Sequence, residues 1–218
     1  MAKISILLSV ESEEKYLSQC IDSIIKQTFK DFECICLVDH QITQASVKIL
    51  KEYLFKDNRI KIILAERNKI NSEKNMFITN SNSHYITFVN SCDWISNKYI
   101  ENLYFVCILN DYDISCACHK NYFEYDKKYE SKTNITKIKK ILSKKSKNIN
   151  DKKEILNLSK NIWNKMYKTE FIKKNKIIFS ENNINMCDSD YNFNLQCFSL
   201  TNKIVFIEDE LYFKRIIK

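Results

Sequence analysis

Acidic and amide side chains follow two of the strands that the sequence predicts, at the points where those strands end. Asp39 comes directly after the apolar run Phe32–Val38, and the cluster Asn90–Asp93 comes directly after Tyr85–Val89. Carboxylates can accept hydrogen bonds from a ligand, bind divalent cations or remove a proton from a reacting hydroxyl. Ligands of parallel sheets bind outside the carboxyl ends of the strands. We therefore expect Asp39 and Asn90–Asp93 to lie at a ligand-binding edge.

The elements that would position these side chains alternate between strand and helix. Runs of strand length occur at Ile4–Val10, Phe32–Val38, Ile60–Leu64, Tyr85–Val89 and Asp113–Cys118, and helical spacing of apolar residues occurs at Glu13–Phe29, Ala45–Leu54, Ser72–Ser81 and Tyr99–Leu109. This alternation predicts βαβ units, and hence an α/β fold with a mainly parallel sheet flanked by helices. We expect a single domain over residues 1–218, which a change of composition near residue 120 divides into two halves.

The chain of 218 residues contains no glycine and no proline, where average usage predicts about 15 and about 11. Glycine-rich phosphate loops are therefore excluded, and turns that need a positive φ must use Asn, Asp or a strained residue. No run of 18 apolar residues and no cleavable leader are found, so neither a membrane span nor a signal peptide is expected. Nine cysteines without a secretion signal indicate free, mostly buried thiols in a reducing cytosol.

Several segments, in order and spacing, resemble motifs of the family 2 glycosyltransferases. In the first half, SILLSVESEE at 5–14 resembles the family's SIIIPVYNEE, IIKQTFKDFE at 24–33 resembles SILxQTFxDxE, VDHQITQ at 38–44 stands for VDDGSTD, NKINSEKN at 68–75 stands for NxGxSxARN, and NSCDW at 90–94 stands for DSDDW. In the second half, WNKMYK at 163–168 is similar to WNKLYK, DSDYNFN at 188–194 to GEDxxFN, and the segment Ile204–Arg215 to KIVFIDEPLYYYR. The resemblance covers almost the whole chain.

The resemblance implies a GT-A fold (nucleotide-diphospho-sugar transferase, Rossmann-like), with a mixed, mainly parallel sheet. It also implies the transfer of a sugar from a nucleoside diphosphate of the UDP or dTDP type to an acceptor hydroxyl, with inversion and with the help of a divalent metal. The acceptor would be a glycan or a lipid-linked precursor in cell-surface glycan synthesis. Residues 1–120 would bind the nucleotide sugar, and residues 121–218 would form the acceptor side.

The same resemblance assigns roles by position. Asp190 stands for the catalytic base. Asp93 and Cys92 stand for the ligands of Mn²⁺ or Mg²⁺. The residues that would contact the nucleotide sugar are Asp39, Ser9, Lys74, Asn90 and Ser91. Among them, Lys74 replaces an arginine that reaches the diphosphate, which keeps the charge but loses the bidentate fork.

The residue types also allow other interpretations. Asp39 can cap the turn that follows its strand, and Asp190 can stabilise the start of a helix. Asn90 is neutral, and the soft thiol of Cys92 suits Mg²⁺ or Mn²⁺ poorly. An alternative function is therefore a nucleotide-sugar-binding or structural protein of GT-A shape that has lost turnover. A second alternative is a basic protein that binds phosphates or an anionic surface.

A lysine-rich segment at Lys137–Lys153 contributes to a formal net charge of +8. Such runs are most often solvated, but this one could dock on anionic lipid, which would place the protein in the cytoplasm, at the inner face of the membrane. Nucleic-acid binding is not expected, because the run lacks the interleaved aromatic residues that stack on bases.

Other notable residues favour ordinary structural roles. The pairs Cys34/Cys36 and Cys116/Cys118 would place their thiols on one face of a strand, as core residues. His84 and His119 are expected at the surface. Relative to the family pattern, Ser9 and Glu210 stand at prolines, and Gln41, Ile70, Phe77, Ser83 and Asp188 stand at glycines. We expect Phe77 to reduce stability or to displace its helix.

Overall fold

The computed structural model describes residues 2–10, 14–66, 69–142, 149–180 and 186–217. Its elements up to residue 110 are β1 (Ile4–Val10), α1 (Glu14–Ile25), β2 (Phe32–Val38), α2 (Gln44–Lys56), β3 (Ile60–Leu64), α3 (Ile70–Asn80), β4 (Tyr85–Asn90), β5 (Trp94–Ile95) and α4 (Tyr99–Asn110). The later elements are β6 (Ile114–Phe123), β7 (Lys128–Ser131), α5 (Ile135–Leu142), α6 (Ile149–Leu158), β8 (Lys165–Lys168), α7 (Thr169–Lys174), α8 (Met186–Leu200) and β9 (Ile204–Ile216).

The described strands form one mixed, nine-stranded sheet in the order β3-β2-β1-β4-β8-β6-β9-β5, with β7 paired to β6. Strands β3, β2, β1 and β4 are parallel, β8 is antiparallel to both β4 and β6, and β6 is parallel to β9. The predicted α/β class is confirmed. Residue 120 lies inside β6, so the two halves that composition distinguishes share this sheet.

A high apolar content explains the central strands β1 and β2. All seven residues of β1 are buried, because helices cover both faces of the sheet there. Ile6 and Leu8 contribute to the core on one face, and Leu7 contributes to the core on the other. A strand buried on both faces needs no polar alternation, and this is why β1 and β2 are mostly apolar in sequence, interrupted only by Ser5, Ser9 and Glu33.

Turns are made without glycine. Among the described residues, a positive φ occurs at Asp111, Lys127, Asn164 and Lys176, with values between 51° and 60°. The expectation that Asn, Asp or strained residues take these positions is therefore confirmed. A lysine in this region is more strained than Asn or Asp, because it lacks a short polar side chain that can bond locally.

Two positions where the family has glycine are accommodated in the core. Phe77 is 7% exposed and packs edge-on against Phe88 at 6.4 Å, and α3 continues without a break to Asn80. The Ser83 hydroxyl is buried and donates to the carbonyl of Tyr85 at 2.9 Å. The helix is therefore intact around Phe77, while the predicted loss of stability stays a prediction. The side chain of Asp188 lies outside the described part.

The thiols of Cys34, Cys36, Cys116 and Cys118 are all buried, as expected for core residues. None of the helices described here is long and apolar enough to cross a lipid bilayer.

Candidate functional site

The carboxyl ends of β1, β2 and β4 bring four of the predicted ligand-binding residues to one edge of the sheet. Ser9 and Asn90 are register partners in the neighbouring strands β1 and β4. The backbone N–H of Asp39 donates to the carbonyl of Val10 at 3.1 Å, and the N–H of Ser91 donates to the carbonyl of Ser9 at 3.0 Å. These bonds continue the parallel ladder beyond the strand ends, so Asp39 and Ser91 are held at the edge.

Asp39 organises the turn that follows β2. Its Oδ1 accepts a hydrogen bond from the backbone N–H of Gln41 at 2.9 Å and lies 2.9 Å from Nδ1 of His40. The turn-capping role considered for this residue is therefore present. The side chain is also 41% exposed, so its position permits contact with a ligand.

Asp93 points into the protein. The residue is 2% exposed, its Oδ2 accepts from the Tyr212 hydroxyl at 2.7 Å, and its Oδ1 accepts from the backbone N–H of Arg215 at 2.8 Å. Burial raises the pKa of this carboxyl to about 6, although the two hydrogen bonds act in the opposite direction. Asp93 therefore joins the loop after β4 to β9.

Arg215 also contacts the loop after β4. Its Nε donates to the carbonyl of Cys92 at 2.9 Å, and its guanidinium pairs with Glu124. The guanidinium also lies over the rings of Tyr16 at 4.1 Å and Trp94 at 4.7 Å. With 4% of the side chain exposed, Arg215 is a buried cation that holds the loop.

The buried position of Asp93 predicts a distinctive pH dependence of stability. A pKa that rises from 3.8 in the unfolded chain to about 6 in the folded protein corresponds to about 3 kcal/mol. The folded state binds the Asp93 proton more tightly than the unfolded chain does. The stabilisation from this proton is therefore complete below the unfolded pKa and is lost as the pH rises through about 6. Between about pH 3 and pH 7, the wild type should lose about 3 kcal/mol of unfolding free energy relative to Asp93→Asn. Urea denaturation of both proteins at the two pH values measures this difference, and identical pH dependence would show that Asp93 is not buried as described.

The Mn²⁺ or Mg²⁺ site predicted at Asp93 and Cys92 is not supported by this geometry. Both carboxylate oxygens of Asp93 already accept hydrogen bonds, and Cys92 offers sulfur, whereas these cations prefer oxygen ligands. The side-chain amide of Asn90 approaches Asp93 Oδ2 at 3.5 Å as a donor. Among the described residues, no group of three His, Cys, Asp or Glu side chains could hold a metal ion.

Lys74 and Asp190 form an ion pair that joins α3 to α8. The ammonium of Lys74 lies 3.3 Å from Asp190 Oδ1 and 4.8 Å from the ring centre of Phe179. Lys74 has 3% of its side chain exposed and Asp190 has 21%. Burial raises the pKa of Asp190, and the charge of Lys74 partly offsets that rise. The carboxylate is therefore a stronger base than one in water and still has access to solvent.

Packing around this pair holds its two helices together. The Asn75 side chain donates to the carbonyl of Phe179 at 2.9 Å and accepts from the N–H of Phe179 at 2.8 Å. The Phe179 ring stacks on Phe193, one turn beyond Asp190 on α8, at 4.2 Å. Asp190 is therefore positioned by the two hydrogen bonds between Asn75 of α3 and Phe179, and by the stacking of Phe179 on Phe193 of α8.

A second buried cation, Lys165 in β8, acts on the same carboxylate. It is fully buried, and its ammonium donates to the carbonyl of Asn161 and to Oδ1 of Asn164 at 3.0 Å. Burial lowers the pKa of Lys165 to about 8, and its positive charge lowers the pKa of Asp190. Asp190 is thus surrounded by more positive charge than the ion pair with Lys74 alone provides.

His119 differs from its predicted surface position. It is only partly exposed, its ring packs edge-on against Trp163 at 4.9 Å, and its Nδ1 lies 3.0 Å from the Thr133 hydroxyl. Burial, followed by the charges of Lys165 and Lys214, lowers the pKa of His119 to about 4. The imidazole is therefore neutral at physiological pH.

The lysine-rich segment is described only outside residues 143–148. In the described part, Lys137 pairs with Glu154 at 2.9 Å, Lys139 pairs with Glu208, and Lys152 donates to the carbonyl of Ser199 at 3.0 Å. Part of the positive charge is therefore offset within the protein, and contact with a membrane stays a prediction.

Sequence reasoning gave no role to Arg215, Tyr212 and Lys165, which shape the site. All three lie in segments that resemble family motifs, Ile204–Arg215 and WNKMYK at 163–168. The resemblance was the available signal, but the partners of these side chains depend on the fold.

Comparison with solved structures identifies the class of fold. The Staphylococcus aureus protein TarS 1-349 in complex with UDP-GlcNAc has a TM-score of 0.77 and 19% identity, over 99% of this chain and 59% of that one. The mannosyltransferase PcManGT from Pyrobaculum calidifontis, in complex with GDP-Man and Mn²⁺, has a TM-score of 0.68 and 7% identity, over 99% of this chain and 57% of that one. The fold is that of a GT-A nucleotide-diphospho-sugar transferase, as predicted.

The sequence comparisons identify the family. The model of Glycosyl transferase family 2 matches residues 5–201, and the chain therefore belongs to this family of glycosyltransferases. Glycosyltransferase GlyA of Streptococcus pneumoniae serotype 4 is 29% identical over 99% of the chain. The chain spans 31% of the length of GlyA.

Proposed function

We propose that this protein binds a nucleoside-diphosphate sugar of the UDP or dTDP type at the carboxyl edge of β1, β2 and β4, and transfers the sugar to an acceptor hydroxyl. Membership of family 2 supports the reaction class. The donor type is supported by the solved TarS structures of the same fold, which are complexes with UDP and with UDP-GlcNAc. Asp39 would accept from the nucleobase, while Ser9, Asn90 and Ser91 would contact the ribose and the diphosphate.

The ion pair between Lys74 and Asp190 is the observation that carries the proposal. Asp190 accepts the proton of the acceptor hydroxyl while the hydroxyl oxygen attacks the anomeric carbon of the sugar. The bond to the diphosphate breaks on the opposite face, the diphosphate leaves with the electron pair, and the configuration inverts. Lys74 contributes positive charge that keeps Asp190 ionised and offsets the charge on the leaving group.

A panel of nucleotides tests the donor class directly. A ligand that binds only the native state raises the melting temperature, so UDP, dTDP and their sugars should stabilise the chain. The matched comparison is CDP or AMP at the same concentration. A panel without any stabilising nucleotide would contradict the proposed function.

A second candidate is a protein that binds the nucleotide sugar without turnover. The observations that favour it are Asn90 and Cys92 in the loop after β4, and Ser189 in place of the acid before Asp190. Ser189 is fully buried, and its hydroxyl has no hydrogen-bond partner among the described residues. Binding of a UDP-sugar without release of UDP would favour this candidate over the first.

The acceptor in this proposal is a cell-surface glycan or a lipid-linked precursor. The segment Lys137–Lys153 would then bring the protein to an anionic membrane at its cytoplasmic face. Sedimentation with anionic vesicles but not with neutral ones is the expected result. Equal behaviour with both vesicle types would contradict this part of the proposal.

A further inference from the structure

The loop after β4 has one carboxylate, and that carboxylate already has partners. Asp93 accepts from the Tyr212 hydroxyl at 2.7 Å and from the Arg215 N–H at 2.8 Å, while 2% exposed. Turning it toward a cation would leave a buried hydroxyl and a buried N–H without their acceptor, at a cost of about 1–3 kcal/mol for each. The geometry thus opposes the use of Asp93 as a metal ligand.

The neighbouring side chains do not replace it. Asn90 is neutral, and Cys92 supplies a soft sulfur where Mg²⁺ and Mn²⁺ favour hard oxygen ligands. A hard cation at this loop would therefore have no available carboxylate from residues 90–93. This contrasts with the three acids of the DSDDW sequence that the same loop resembles.

The protein instead carries two buried lysines, Lys74 and Lys165. Lys74 is 2% exposed and its ammonium lies 3.3 Å from Asp190 Oδ1. Lys165 is fully buried with its ammonium on the Asn161 carbonyl and Asn164 Oδ1, and its charge also acts on Asp190. Two lysines and one carboxylate leave an excess of positive charge around Asp190. A diphosphate is an anion that such fixed charge can stabilise without further reorganisation.

We propose that this protein binds its nucleoside diphosphate without a divalent cation, with protein cations in place of the metal. The proposal rests on the proposed function, because it assumes that a nucleotide binds beside the loop after β4. It differs from that function in specifying how the charge of the diphosphate is met.

Calorimetric titration of the full chain with UDP, once in EDTA and once in MnCl₂, tests the proposal. Coupling between two ligands is reciprocal, and a required metal would change the affinity for UDP by about 5–150-fold. We expect affinities that agree within about twofold, that is, coupling near zero. Binding of UDP only with Mn²⁺ would overturn the inference and leave the proposed function standing. Binding in neither condition would overturn both.

A double variant sharpens the test. Asn90→Asp with Cys92→Asp adds two oxygen ligands at the loop, so UDP binding should become stronger in MnCl₂ than in EDTA. The matched control, Asn80→Asp with Asn82→Asp, adds the same charge at exposed positions near the amino end of β4 and should show no such coupling. A loop variant as insensitive to Mn²⁺ as the control would contradict the placement of the diphosphate beside this loop, on which the proposal depends.

Discussion

Replacing Asp190 with asparagine is expected to reduce the release of UDP from a bound UDP-sugar by about 10²–10⁴-fold, the usual contribution of general acid–base catalysis. The amide has nearly the shape of the carboxylate but cannot accept the proton of the attacking hydroxyl. Because Asp190 acts on the acceptor side of the reaction, the affinity for UDP should change little. Steady-state UDP release and calorimetric UDP binding measure the two effects separately.

The matched control for this change is Glu52→Gln, which removes an exposed acid from α2. It should leave both UDP release and UDP binding unchanged. If Asp190→Asn releases UDP as fast as the wild type, then Asp190 is not the base. A parallel loss of UDP binding in Asp190→Asn would instead indicate that the carboxylate serves the structure of the site.

Replacing Lys74 with methionine is expected to have the second largest effect. The ammonium lies 3.3 Å from Asp190 Oδ1 and lowers the pKa of a carboxyl that burial raises. Without this cation the pKa of Asp190 rises further. Since the base works only when ionised, the acid limb of the pH profile of kcat/KM should move to higher pH. Binding of UDP should also weaken, because the diphosphate loses a positive partner.

One further variant at position 74 and one control elsewhere separate the effect of charge from that of structure. Lys74→Arg keeps the charge, so the acid limb should stay close to that of the wild type, although the altered geometry would lower the rate. Lys48→Met removes an exposed lysine of α2 and should alter neither property. An acid limb that does not move in Lys74→Met would contradict electrostatic control of Asp190 by Lys74.

Three strands of the first half could be predicted from the sequence with their observed limits, whereas β4 extends to Asn90 rather than Val89 and the short strand β5 was not predicted. The structure has strands at Ile4–Val10, Phe32–Val38 and Ile60–Leu64, which are the bounds that the sequence predicts. Burial on both faces of a parallel sheet favours a nearly continuous apolar run, which the sequence displays for Ile4–Val10 and Phe32–Val38, whereas Ile60–Leu64 is more exposed. Helix ends were less accurate, since α1 was expected over Glu13–Phe29 and is described over Glu14–Ile25.

The orientation of the Asp93 side chain could not be predicted from the sequence. In the sequence it is an acid in a polar loop, and such an acid can bind a metal or bond to the protein. Its partners Tyr212 and Arg215 are 119 and 122 residues away, and they reach it only because β9 pairs with β5. The same limit applied to Lys74 and Asp190, which the resemblance located separately and the fold brings together across 116 residues.

The most direct test of the central claim is a crystal structure of the chain with UDP bound. The proposed function predicts the base of UDP at Asp39, with its diphosphate between Asn90 and Lys74, at the carboxyl edge of the sheet. A cleft of about 500 Å³ at the opposite edge is lined by Glu33, Arg59 and Lys61 and offers a natural alternative. UDP found in that cleft, with the edge formed by Ser9, Asp39 and Asn90 empty, would contradict the account.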